Sequence, residues 1–367
     1  MALLPLIIIG GLLILKKIQK FSLVVSFLAV YGALFLADRI FGSGASLLEG
    51  LSFTVNLIFS PFALFFAVVM LIEPMTSPAV RRKGIYYAGF TAILLFLLQK
   101  FAGGIPYLIE LSLLSGNLLA KIMSPDFRQT FILKKKEKLS ASIFGFWFSA
   151  TSPFGFLPGQ FLEYTLSHKN PDNRGVRRYF TIASSPTEKE ILLTTRFAEN
   201  GSSFKKTLIG FEAGGEIVAS RVSGDFTLPK DPKQKLIFIA GGIGITPMRS
   251  MVKYLLDRGE KRDIVLFYGA RSVDDLVFRE IFEEAERRFD MKNIYVLPEN
   301  NADLPNSKVG IINLGFIKNE LPDMDERTFY ISGPEPMVEA LEKELARAGV
   351  SEARMKRDYF PGYEVNS

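Results

Sequence analysis

No cysteine stands anywhere in the 367 residues, and there is a single histidine, His168. The first absence excludes disulfides, thiolate zinc sites, cysteine-ligated iron-sulfur clusters and cysteine nucleophiles together. The second leaves no pair of imidazoles for a membrane haem, so neither haem nor an iron-sulfur cluster is expected, and no metal site. His168 lies in a polar Ser-His-Lys-Asn-Pro run and reads as a solvated loop residue rather than a catalytic base. Acidic residues are scarce in the first third: residues 1–125 carry nine Lys and Arg against four Asp and Glu, whereas the remainder is nearly balanced at 35 against 34. The formal charge of +6 therefore belongs to one end, and no clustered basic face for nucleic acid remains.

What the first third has is long hydrophobic runs. Those near 2–15, 22–41, 53–72, 85–103 and 105–122 are each close to the length that crosses about 30 Å of hydrocarbon as helix. Five spans are expected, an all-α transmembrane bundle over residues 1–125 with the lipid bilayer as its partner. The first run has no basic n-region and no small-residue cleavage site, so it reads as a retained helix. Lys16, Lys17 and Lys20 follow the first run, Arg81, Arg82 and Lys83 the third, and Lys121 with Lys134, Lys135, Lys136 and Lys138 the fifth. The positive-inside rule puts those ends in the cytoplasm, the N-terminus outside and everything after residue 125 inside the cell.

The stretch MLIEPMTSPAVRRKGIYYAGF, with Gly103, Gly104 and Asn117 beyond it, resembles the C-terminal half of the RnfD/NqrB membrane-subunit family over about residues 3–123. Glu73 stands where that family has Asp. Its covalent flavin attachment motif has no counterpart here, and Ser43-Gly44-Ala45-Ser46 reads as a plain loop. Pro74 and Pro78 around Glu73 fit either a helix broken at membrane depth or a helix end anchored by the cations at 81–83.

After Pro125 the rhythm changes to short alternating segments, FRQTFILKKK, SIFGFWFSA, QFLEYTL, RYFTI, EILLTTRF and GEIVASRV, the pattern of a small antiparallel barrel over residues 126–230. From residue 231 apolar strands LIFIA, DIVLFYG, NIYVL and TFYIS alternate with helical stretches that include 273–289 and 335–348, the mark of a parallel α/β sheet to residue 367.

A barrel carrying Arg178-Tyr179-Phe180-Thr181, then a sheet whose first strand runs into Gly241-Gly242-Ile243-Gly244-Ile245-Thr246-Pro247, resembles the ferredoxin-NADP reductase superfamily over about residues 127–363. The resemblance implies noncovalent FAD and NAD(P)H. In that family the arginine pairs with the flavin diphosphate, the aromatic lies against the ring system and the hydroxyl residue bonds near the reacting nitrogen. Phe180 replaces the usual tyrosine. Ile182, Ala183 and Ser184 continue the cradle, and Gly201, Ser202 and Ser203 match the segment whose amides and hydroxyl take the flavin phosphates, while Lys205 and Lys206 read as solvated.

The glycines at 241, 242 and 244 allow close approach of the nucleotide diphosphate, to which Thr246 can donate. Gly269, Arg271 and Ser272 match the ribose end, where a 2′-phosphate is tolerated without being demanded. Ser332-Gly333-Pro334-Glu335-Pro336-Met337 resembles the family's Cys-Gly-Pro-x-x-Met near the nicotinamide, with serine in the cysteine's place. The tail Asp358-Tyr359-Phe360-Pro361-Gly362-Tyr363 resembles a Glu-x-Phe-x-Gly-Tyr ending, with Asp358 for Glu and with Phe360 either against the flavin or in the core. Thr181, Ser332 and Phe360 are the expected catalytic positions. The implied activity is a membrane-bound reductase passing electrons between NAD(P)H, FAD and an acceptor outside the chain: a quinone, a ferredoxin-like protein or a membrane-complex subunit. The other reading is the electron-entry subunit of an ion-translocating complex.

Overall fold

The computed structural model describes residues 9–15, 20–73, 76–78, 81–123, 128–198, 201–289, 291–299 and 304–360, without the side chains of Arg81, Tyr359 and Phe360. The chain parts into two compact units, Met1–Asp126 and Phe127–Ser367.

In the first unit α1 (Phe21–Ala37) runs on as a π-turn to Gly42. It is followed by α2 (Leu47–Ile58), α3 (Pro61–Phe65, extended as a π-turn to Met70), α4 (Arg81–Phe101) and α5 (Leu108–Met123). Phe27, Tyr31, Phe66, Tyr87 and Leu95 fill the space between them. The helices approach closely at small residues: a Cβ on Gly116 of α5 would lie 2.3 Å from Thr91 Oγ1 of α4.

The expected five spans are not what forms. Among the described residues two helices, Phe21–Gly42 and Arg82–Phe101, are long and apolar enough to cross a membrane, and a third crossing needs α2 and α3 to act together across a 51° bend. The local causes are legible. Ser60 accepts from Ala63 N–H at 3.1 Å and Pro61 opens the next helix, so the run 53–72 is capped and restarted in its middle. Tyr107 adopts a left-handed φ of 63° after Gly103, Gly104 and Pro106, which delays α5 and leaves it 16 residues. Of the first run, only residues 9–15 are described, as helix.

The second unit holds two six-stranded sheets. The antiparallel half-barrel has strand order β4-β3-β6-β1-β2-β5, from β1 (Arg128–Lys138), β2 (Ile143–Ala150), β3 (Phe161–Thr165), β4 (Arg177–Thr181), β5 (Ile191–Arg196) and β6 (Glu216–Ser223). Gln129, Phe131 and Leu133 alternate inward along β1 until a bulge at Leu133/Lys135 ends the pattern and turns the lysines out. Helix α6 (Ser203–Ile209) lies between β5 and β6.

The parallel sheet has order β10-β9-β8-β7-β11-β12, from β7 (Leu236–Gly241), β8 (Ile264–Gly269), β9 (Met291–Leu297), β10 (Ser307–Val309), β11 (Thr328–Pro334) and β12 (Met355–Phe360). Its helices include α7 (Thr246–Arg258), α8 (Arg279–Arg288), α9 (Leu314–Glu320) and α10 (Glu335–Arg347). β7 is buried throughout, as a central strand covered on both faces requires. The single helix expected over 273–289 is instead a 3-10 turn, Val273–Asp275, then α8, because Phe278 sits at φ 65° and breaks the run.

The two sheets share a core. Ile143, Ala183, Leu192 and Phe226 pack with Leu236, Phe238, Met248 and Tyr330. Polar ties cross the same seam. The guanidinium of Arg249 (α7) donates to Ala183 O at 3.1 Å and pairs with Glu188, above the rings of Trp147 and Phe278. Asp275 accepts from Ser140 Oγ and Arg196 Nη2, each at 3.0 Å.

Candidate functional site

The pleat of β4 sends Arg178 and Phe180 to one side and Tyr179 to the other. Phe204, the second residue of α6, receives both: the Arg178 guanidinium lies 5.7 Å from its ring centre, and the Phe180 ring 5.6 Å. Tyr179 is 55% exposed on the opposite face, edge-on to Phe161, with its hydroxyl donating to Glu163 at 3.3 Å. It is therefore turned away from the Arg178–Phe180 face. Ile182, Ala183 and Ser184 point into the interior; the N–H of Ile182 goes to Gln160 O, that of Ala183 to Leu192 O, and Ser184 Oγ accepts from Leu192 N–H. These three shape the strand end, with the amides of Ile182 and Ala183 spent on backbone carbonyls.

Around Arg178 cations crowd one carboxylate. Its Nη2 bonds both oxygens of Asp172 at 2.6 and 2.8 Å, and its Nη1 serves the carbonyls of Arg174, Gly175 and Arg177. Burial opposes ionisation of Asp172, yet Arg178 and the N–H groups of Arg174 and Ser203 hold its carboxyl down at about 2. Lys205, expected in solvent, is half-buried with Nζ on Arg196 O at 2.8 Å. Burial, then Arg174, Arg178 and Arg196, pull its ammonium down to about 8. His168 is not a free loop residue either: Nδ1–H donates to Leu166 O at 2.7 Å, and Nε2 takes the Ser203 hydroxyl at 2.9 Å. Ser202 caps α6 through Lys205 N–H, and Gly201 N–H closes a turn on Ala198 O. A cleft of about 660 Å³ opens here, lined by Asp172, Arg174, Gly201, Ser203 and Lys206 among others.

On the nucleotide side the motif glycines serve packing as much as ligand access. A Cβ on Gly241 would meet Met337 Sδ at 2.6 Å, and one on Gly244 would meet the Ser332 carbonyl oxygen at 2.2 Å. Gly242, at φ 53°, faces Arg196 of the barrel, whose Nη2 would be 3.7 Å from its Cβ. Arg196 was not singled out from sequence; a cation closing β5 is an ordinary residue until the fold sets it over this turn. Thr246 is buried with its hydroxyl donating to Ile243 O at 3.1 Å, and Pro247 is buried at the start of α7, so neither is presented to a ligand. Met337 fills the slot beside Gly241 and Gly333. Gly269 ends β8 half-buried, and Arg271 and Ser272 follow it exposed.

The two sides meet at three residues. Thr181, at the end of β4, bonds the carboxyl of Asp358 on β12, and Asp358 is the register partner of Ser332 on the neighbouring β11. Burial first, and the Asp225 carboxylate second, push Asp358 up to about 7, against the Thr181 bond. Among the described residues, Ser332 Oγ is buried without a partner, as is Arg178 Nε. An orphaned hydroxyl at the seam and an orphaned guanidinium N–H among cations fit a ligand with a polar ring and a diphosphate. Of the tail, β12 brings the backbone of Phe360 beside Pro334, whereas Gly362 and Tyr363 lie outside the described residues.

The oxidoreductase NAD-binding domain family matches residues 238–343. The chain is 28% identical over 220 residues to the glycine betaine monooxygenase reductase subunit of Pseudomonas aeruginosa strain UCBPP-PA14, covering 59% of each. A cytochrome P450 reductase structure from Amycolatopsis aligns with a TM-score of 0.56 at 25% identity, over 65% of this chain and 71% of that one. The C-terminal unit is thus similar, in sequence and in fold, to reductases of the ferredoxin-NADP reductase-type FAD/NAD-binding superfamily. The chain spans 59% of the length of the first of these curated relatives.

One expectation about cofactors is overturned. Flavohaemoproteins are among the relatives of this reductase-type unit, that of Halalkalibacterium halodurans at 23% identity over 249 residues, 64% of this chain and 60% of that one. A flavohaemoglobin of Malassezia yamatoensis with bound FAD and haem aligns over 97% of this chain and 98% of its own, at 18% identity and a TM-score of 0.59. The exclusion of haem and iron-sulfur chemistry drawn from composition is withdrawn. A count of His and Cys speaks for ligands in this chain and not for the centres with which such units work.

Proposed function

We propose that the chain is a membrane-anchored, NAD(P)H-dependent flavoprotein reductase that delivers electrons to a separate acceptor. The observation that carries this reading is the convergence of Thr181, Asp358 and Ser332 from β4, β12 and β11, where the flavin strand meets the nicotinamide strands. FAD, when bound, supplies the redox chemistry, taking electrons in a pair and releasing them singly. The chain binds and orients. Arg178 with Lys205 holds the flavin diphosphate, Phe180 lends an apolar face, and Arg196 with Gly242 meets the nicotinamide nucleotide's diphosphate. Ser332 offers its unpartnered hydroxyl at the seam. Asp358 keeps a proton near neutral pH and Thr181 fixes its orientation, so no full negative charge stands there while electrons arrive.

The acceptor is a partner protein, by analogy with relatives named as reductase subunits of oxygenases. Anchoring rests on the apolar helices, with the reductase unit in the cytoplasm where the nicotinamide pool is. The RnfD/NqrB-like reading of the first unit rests on its sequence motif, of whose described residues Ser77 donates through N–H and Oγ to Glu73 O, while Lys20 Nζ donates to Ser77 O at 3.4 Å. Anaerobic titration of the purified chain with NADH and with NADPH tests the main reading. Bound flavin should bleach stoichiometrically with at least one nucleotide; flavin that keeps its absorbance with both refutes it.

A further inference from the structure

The groups best placed to take the flavin diphosphate are already engaged. Asp172 accepts from Arg178 Nη2 through both oxygens, from Ser203 N–H at 3.1 Å and from Arg174 N–H at 2.9 Å. Its own N–H donates to Ser203 Oγ at 2.9 Å, and His168 holds the same hydroxyl from the other side. The 168–175 loop is thus latched onto the cleft that Ser203, Arg174 and Lys206 line. With Nη1 spent on three carbonyls and Nη2 on Asp172, the side-chain N–H of Arg178 left without a partner among the described residues is the buried Nε.

On the reading that this cleft takes FAD, we propose that Asp172 is a built-in competitor for the flavin diphosphate: its carboxylate occupies the anion position on Arg178 and Ser203 and must be displaced before the diphosphate can engage them. Both anions need the same donors, and two negative groups cannot share them without repulsion. Flavin affinity is then set by an exchange of one anion for another. The residue that makes the best ion pair in the cleft weakens ligand binding, the reverse of a positioning role. Release of the 168–175 loop accompanies binding.

The test is the affinity of the full-length chain for FAD and for riboflavin, which has the ring system and no diphosphate, in wild type and Asp172→Asn. Asparagine keeps the shape and can still accept from Arg174 N–H, while losing the charge that holds Arg178. The expected result is FAD binding tightened about tenfold or more, the order of one charge-assisted contact, with riboflavin binding unchanged. Weaker or unaltered FAD binding by Asp172→Asn overturns the proposal, the weaker case making Asp172 a positioner of Arg178. Equal tightening of riboflavin also overturns it, since the change would then act outside the anion position. A wild type that binds neither flavin refutes the reductase reading itself, and this proposal with it.

Discussion

Asp358 sits where two carboxylates, its own on β12 and that of Asp225 in the segment after β6, are brought together with no local reason to meet. Burial and that neighbour make the folded chain hold the Asp358 proton to about pH 7, whereas an unfolded aspartate releases it near pH 4. Between those values the folded state binds more protons than the unfolded, so stability falls as pH rises through the window and levels above it. Asp358→Asn should remove that fall. Urea unfolding at pH 5 and pH 8 measures it: a loss of stability in wild type, a smaller one in the variant, and equal losses would refute the assignment. The sequence offered Asp358 only as a departure from a family ending. Its bond to Thr181, which makes it part of the site, spans the whole reductase unit and leaves no local trace. Arg178, by contrast, stood out as a candidate because it opens a contiguous motif, Arg178–Thr181; its pairing with Asp172, six residues away, was not foreseen.

At the scale of elements, alternation and glycine context identified both sheets, since the residues that make a strand are the strand's own. What the glycines do was not legible, because it depends on elements far apart in sequence. Gly244 opposes the backbone of Ser332, which cannot yield, whereas Gly241 opposes the flexible end of Met337. Gly244→Ala should therefore destabilise the reductase unit by about 1–3 kcal/mol and Gly241→Ala by less, read by urea unfolding; the reverse order would show the Ser332 contact to be unimportant. The seam between the sheets allows a second comparison. Arg249 is buried against Glu188, and removing one member of such a pair costs about 3–5 kcal/mol by leaving the other charge stranded. Arg249→Ala should lose about that much, with Trp147 fluorescence as the local probe, and removing Glu188 as well should recover part of it. A double variant no more stable than Arg249→Ala would assign the loss to packing against Trp147 and Phe278 instead.

For the whole molecule, the open question is which side of a membrane each loop faces, and here the number of crossings decides. Helix α5 has 16 residues, about 24 Å of helix against about 30 Å of hydrocarbon, so by length alone it falls short. On the membrane-anchored reading proposed above, α5 would nonetheless have to cross as far as α4 does. Lys83, at the start of α4, donates through Nζ to the carbonyl of Met123, the last residue of α5, so the cationic start of one helix and the end of the other are level. The 102–107 turn then lies at the opposite end, and the chain leaves α5 on the side of Arg82 and Lys83, the cytoplasmic side under the positive-inside rule. Because the chain has no cysteine, single replacements report without background. Ser43→Cys and Gly104→Cys, in exposed turns, should react in intact cells with a membrane-impermeant maleimide, and Lys134→Cys, exposed on β1, only after the cells are opened. If Gly104→Cys and Lys134→Cys label together from outside, α5 does not cross, the reductase unit faces away from the nicotinamide pool, and the proposed NAD(P)H-linked function fails with it.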